Sequence, residues 1–214
     1  AWREVLFMFR RLMPVAVAAI AAAAALADNG PRFDHRDLRE AHFASCDLRE
    51  AVIESCTMGG ARLVAVRQSP KILLKSCRLD EMTWQDTLLD DPRMQRVRIE
   101  GLYGYDLELA EWLVERSELT DLSLRYCDLD EVELENVTLS DLDAEWLAVP
   151  RGRWRHCDLR GADFEGCDLS DSRFYRGSLE DARFTSVDFT DVTLERCDIR
   201  GLVINGVRID ELIE

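Results

Sequence analysis

From Phe33 to Ile209 one large apolar residue recurs at every fifth position, with mostly polar residues between. The first run is Phe33, Leu38, Phe43, Leu48, Ile53, Met58 and Leu63. After a one-residue slip within residues 64–73 the beat resumes at Leu74 and continues to Ile209, and only Gly104 and Ala144 fail among 28 centres. A helix repeats every 3.6 residues and a strand every 2, so neither keeps residues five apart on one face. The period belongs to a superhelix.

Two residues before each centre stands a second inward candidate, usually small or apolar: Ala41, Cys46, Ala51, Cys56 and Ala61, and later Ala162, Cys167, Ser172, Gly177, Ala182, Val187 and Val192. The other three positions are mostly polar, as in CDLRE at 46–50, CDLDE at 127–131, ADFEG at 162–166 and CDLSD at 167–171. This resembles the pentapeptide-repeat family, whose consensus is A(D/N)LXX, over about 180 of the 214 residues. The resemblance implies an all-β solenoid, a right-handed quadrilateral β-helix with four pentads per coil. Stacking at ~4.8 Å gives about nine coils and a rod of roughly 40 Å. The domain division that follows is an apolar segment at 1–30 and the rod at 31–214.

The N-terminal segment obeys another rule. Residues 12–27, LMPVAVAAIAAAAALA, are apolar, follow Arg10 and Arg11, and precede Asn29-Gly30-Pro31. Alanine-rich composition with a terminal stop signal fits an α-helix that caps the rod or connects it to a longer chain, as does a start at Ala1. A basic flank, apolar core and small-residue ending also fit an export signal or membrane anchor, although 16 residues with a proline fall short of a full span.

All seven cysteines, at 46, 56, 77, 127, 157, 167 and 197, fall two residues before a centre, so they are expected to be small buried residues with free thiols. Only Cys56 and Cys77 are spaced as stacked neighbours across the slip. The odd count favours a reducing compartment, hence a bacterial cytoplasm, with export or membrane anchoring through residues 1–27 as the alternative. No metal spacing occurs. Residues 64–73, 101–116 and 142–154 are irregular and are expected to form corner bulges or small loops, with Trp112, Trp146 and Tyr105 either core fillers or exposed anchors.

Net charge is −15, from 42 acids against 27 Lys and Arg, which disfavours nucleic acid and anionic lipid as partners and favours a basic or DNA-binding protein. Sorting pentads onto four faces from residue 77 gives one face with 13 acids and two arginines: Asp90, Asp91, Glu108, Glu111, Asp128, Asp130, Glu131, Asp168, Asp171, Asp188, Asp191, Asp210 and Glu211. The next face holds eight arginines and four acids. A solvated surface explains such runs, yet stacked like charges repel. The first eleven of these acids are therefore candidates for a partner-binding surface.

No catalytic constellation is present: His35, His42 and His156 are isolated, and neither a phosphate-cradling glycine loop nor a nucleophile elbow occurs. No catalytic, cofactor or metal residues are assigned. The sequence reads as a non-enzymatic scaffold for protein interaction, a module of a bacterial assembly or secretion-system protein. The alternative implied by the resemblance, through the family's quinolone-resistance members, is a DNA mimic acting on a type II topoisomerase such as gyrase. Partner identity and oligomeric state are not encoded in any motif.

Overall fold

The computed structural model describes residues 32–44, 48–66 and 71–212. The expected N-terminal helix at 1–30 and Cys46 lie outside the described residues. From Arg32 onward the chain winds as a four-walled β-solenoid, and each wall is one column of apolar centres. Wall one stacks the strands Arg32–Asp34, Val52–Glu54, Leu73–Lys75, Arg93–Gln95, Leu113–Glu115, Glu133–Glu135, Arg153–Arg155, Arg173–Tyr175 and Thr193–Glu195 into a nine-stranded parallel sheet. The opposite wall, wall three, begins with His42–Ala44 and Arg62–Val64 and includes Ser123–Arg125, Asp143–Glu145, Asp163–Glu165 and Arg183–Thr185.

Walls two and four, between them, carry mostly single parallel bridges. Wall two links Glu118, Thr138, Asp158, Ser178 and Asp198, and wall four links Glu108, Asp128, Ala148, Asp168 and Asp188. Among the described residues only Arg78–Asp90 and Arg98–Ala110 pair continuously around the corners. The usual offset between stacked partners is 20 residues, as in Glu133↔Arg153. It is 21 at Val52↔Leu73 and Arg62↔Thr83, which places the extra residue inside the expected slip.

The centres and their minus-two neighbours form one apolar column, with Phe43, Leu79, Ile99, Leu119 and Phe164 fully buried. Where a centre is too small, its neighbours supply the volume. Leu102 and Leu107 flank Gly104, Leu142 and Leu147 flank Ala144, and all four are buried. A Cβ at Gly104 would lie 2.7 Å from Leu124 Cδ2 and 2.9 Å from Leu107 Cδ1. The irregular stretches at 101–116 and 142–154 thus stay in the coil: residues 101–110 are strand, and Asp143–Glu145 and Arg153–Arg155 keep the 20-residue register, whereas residues 67–70 of the stretch at 64–73 lie outside the described residues. Gly152 makes room for Trp154, whose Nε1 would stand 2.7 Å from an added Cβ.

Each corner depends on the second residue after a centre adopting the left-handed conformation, for example Ser55 at φ 55°, Ser76 at 52° and Asp191 at 56°. The backbone N–H there still reaches the next rung, as in Ser76 N to Gln95 O at 2.9 Å and Arg116 N to Glu135 O at 2.9 Å. A left-handed L-residue costs about 1–2 kcal/mol and a β-branched one more. No Val, Ile or Thr occupies positive φ among the described residues.

The buried thiols are free at Cys56, Cys77, Cys127, Cys157 and Cys167, while Cys197 is half-buried in the last full rung. Cys77 stacks on Cys56 without a disulfide; its Sγ donates to Ile53 O at 3.2 Å. Cys157 donates likewise to Leu134 O and Cys167 to Ala144 O, one rung below. Burial pushes the thiol of Cys157 up to about 12 and that of Cys167 up to about 11.

The coil ends after Ile204, which still stacks on Phe184 of the rung below, and the beat at Ile209 does not continue it. Val203–Ile204 and Val207–Arg208 form an antiparallel hairpin across Asn205 and Gly206, both at positive φ, the Asn-Gly chemistry of a tight two-residue turn. Asp210 consequently accepts from Gly201 N at 2.9 Å and from Arg208, and Glu211 also faces Arg208, so neither extends the acidic face. Among the described residues no helix is long and apolar enough to cross a membrane.

Candidate functional site: the acidic wall and its two edges

Wall four gathers the candidate acids from alternating outward positions. Glu108, Asp128, Asp168 and Asp188 precede their centres, while Asp90 and Asp130 follow by one residue. Asp91, Glu111, Glu131, Asp171 and Asp191 occupy the left-handed corner. The wall is interrupted at Ala148–Arg151, where Arg151 reaches down one rung to Asp130 at 2.5 Å and Glu131 at 3.5 Å.

These carboxylates divide by what they already do. Asp168 Oδ1 accepts from Ser170 N at 2.9 Å, and Asp188 Oδ1 from Thr190 N at 2.8 Å and Thr190 Oγ1 at 2.6 Å. Those bonds satisfy turn N–H groups, and the hydroxyl and amide of Thr190 hold the Asp188 carboxyl below its usual range. The same turn on wall two uses Asp158 and Asp198, lowered chiefly by the side chains of Arg160 and Arg200. Asp91 is held by Arg93 at 2.9 Å. Asp90, Glu108, Asp128 and Asp191 have no hydrogen-bond or ion-pair partner for the carboxylate among the described residues. Glu111 and Asp171 make no close ion pair, with Arg93 and Arg151 acting on them at longer range.

The edge toward wall one is a charge zipper. A groove of about 390 Å³ is lined by Asp91, Arg93, Glu111, Leu113, Glu131, Glu133, Arg151 and Arg153, with Arg153 bonded to Glu133 in the rung below. Segregation into an acidic and a basic face is thus offset along this edge by pairs that cross from rung to rung.

The opposite edge, toward wall three, is aromatic. Tyr103, Tyr105, Tyr126 and Trp146 are all exposed, by 44%, 39%, 54% and 58%. Trp112, by contrast, is buried. Register explains the difference: Trp112 lies two residues before its centre Val114, whereas Tyr126 and Trp146 lie two residues after Leu124 and Ala144. That offset could have assigned all three from the sequence. Tyr126, which is not one of the anchors expected from the irregular stretches, carries no other signal in the sequence.

The repeats and this coil geometry define a class of protein, the four-sided β-solenoids. A family profile described as "Pentapeptide repeats (9 copies)" matches residues 153–208. Over that span the profile bears out the resemblance to the pentapeptide-repeat family read from the sequence. Among solved structures it is similar to Rfr23, a pentapeptide repeat protein from the cyanobacterium Cyanothece 51142, at 22% identity over 42% of this chain, with a TM-score of 0.41. That match spans 63% of the Rfr23 chain. QnrB1, a plasmid-mediated fluoroquinolone resistance protein, matches in a trypsin-treated variant form at 18% identity, covering 78% of this chain and 83% of that one, TM-score 0.39. HetL, involved in heterocyst differentiation regulation in Nostoc sp. strain PCC 7120, matches at 17% identity, covering 86% and 95%, TM-score 0.29. No curated protein matches the sequence.

Proposed function

We propose that the rod is a non-catalytic scaffold that binds a basic protein through wall four. The observation that carries this reading is a set of carboxylates that do nothing for the fold. Asp90, Glu108, Asp128 and Asp191 stand without a partner among the described residues, on a laddered wall whose backbone fixes their spacing. Fixed charges of one sign raise the local concentration of cationic groups and steer their approach, and salt screens that attraction. The repeat itself puts acids at outward positions without any acid-base role, which speaks against catalysis.

The test is a variant with Asp90→Asn, Glu108→Gln, Asp128→Asn and Asp191→Asn, which leaves the turn-forming Asp168 and Asp188 untouched. Capture of basic partners by the parent should fall as salt rises, and the variant should lose it at all salt concentrations. Inhibition of topoisomerase supercoiling by the parent, abolished in the variant, would instead favour DNA mimicry. A variant that keeps every interaction of its parent would reduce wall four to a solvated surface.

A further inference from the structure

The aromatic edge has no evident folding purpose. Tyr126 and Trp146 occupy left-handed corners at φ 55° and 54°, a conformation that disfavours bulky side chains. The same corner position in neighbouring rungs of wall three holds Asp86, Asp106, Gly166 and Ser186, which suit it better. Neither ring is buried in return, so the strain is not offset by core packing.

The rings nevertheless form a built surface. Tyr105 and Tyr126 meet edge to face, with centroids 5.6 Å apart. Trp146 lies over the next rung, where a Cβ on Gly166 would come within 2.9 Å of its Cε3. Gly166 therefore leaves space that the indole uses. Asp106 adjoins this strip in its own wall, and Glu108 and Asp128 stand across the corner on wall four. Arg125, the residue before Tyr126, is already engaged by Glu145 at 3.1 Å and Asp143 at 3.4 Å. The edge combines aromatic faces with uncompensated negative charge.

Resting on the scaffold reading above, we propose that Tyr105, Tyr126 and Trp146 bind arginine side chains of the basic partner, the guanidinium stacking on the rings while the acids hold its charge. Arginine suits this surface better than lysine because its planar, weakly hydrated cation stacks on an aromatic face. The protein already makes this contact within itself: on wall one, Arg176 and Arg196 place Cζ 5.1 Å and 5.9 Å from the Tyr175 ring centroid. An extended Arg-x-Arg segment separates its two side chains by roughly 6.6 Å, between one and two rung spacings.

The experiment is calorimetric titration of the full chain with a synthetic ten-residue peptide containing three Arg-x-Arg steps, and with its lysine counterpart. The arginine peptide should bind the parent several-fold more tightly than the lysine peptide. Tyr126→Ala and Trp146→Ala should each weaken it about five- to tenfold and erase the preference, whereas Trp146→Phe keeps most of it. Unchanged thermal melting of both alanine variants confirms folding. The amide variant of wall four should weaken both peptides equally. If the amide variant abolishes binding but the alanine variants bind like the parent, the aromatic proposal fails and the acidic-wall reading survives. Equal binding of both peptides to the parent, or no binding of either, overturns it as well. Concentration-dependent dimerisation lost in Trp146→Ala would show the strip to be a self-interface and would also overturn it.

Discussion

Truncating one centre in the middle of the rod and the equivalent centre at its end should have very different consequences. Leu129 is 3% exposed, with Leu109 below it and Val149 above, both buried. Burial of a leucine side chain contributes roughly 2 kcal/mol at ~25 cal/mol/Å². Leu129→Ala removes most of this and leaves a cavity that laddered rungs cannot close, so the expected loss is about 3 kcal/mol. For a chain of this size that lowers the melting temperature by roughly 6–12 °C. Leu194 has the same role in wall one but is 38% exposed in the last full rung. Leu194→Ala loses only part of the transfer term and creates no enclosed cavity, so about 1 kcal/mol is expected. Leu129→Asp buries an unpaired carboxylate and should cost more than about 4 kcal/mol. Urea and thermal melts followed by far-ultraviolet circular dichroism measure all three. Equal losses at Leu129 and Leu194, or a Leu129→Asp variant as stable as the parent, would refute the inward register.

Ser76 tests the corners: Ser76→Val should be at least about 1 kcal/mol less stable than Ser76→Gly in the same urea melts, because its φ of 52° suits glycine and opposes a β-branched residue. Native labelling with a thiol reagent should modify Cys197 first and leave Cys157 and Cys167 intact, with all seven reacting after denaturation. The raised thiols also set a pH dependence. Their neutral forms favour the folded state fully below the unfolded thiol value near 9, and that stability is lost as pH rises toward about 11 for Cys167 and about 12 for Cys157, readable as a falling melting temperature. At the acid end the sign reverses: Arg208 and Gly201 N hold Asp210 down at about 2, so the hairpin should loosen as pH falls from about 4 toward 2. Amide exchange of Gly201 should show it first, and exchange unaffected by Asp210→Asn would remove that role.

The five-residue beat by itself determined the solenoid, the inward positions, the buried cysteines and the collection of acids on one wall. It could do so because each rung meets only its neighbours, so register in sequence becomes register in space. The Asn205-Gly206 turn and the avoidance of Val, Ile and Thr at the corners were equally legible once the position relative to each centre was considered. The pairing of charges was not. Arg151 neutralises Asp130 and Glu131 from the rung above, and Asp168 and Asp188 are occupied by their own turns, because side-chain reach and local amide geometry decide such contacts. The sequence counts a carboxylate as charge, whereas the tertiary structure shows which of them are already hydrogen-bonded. It also brings Tyr105, Tyr126 and Trp146, each from a different rung, onto one exposed edge, since residues about 20 apart become neighbours only when the coils stack.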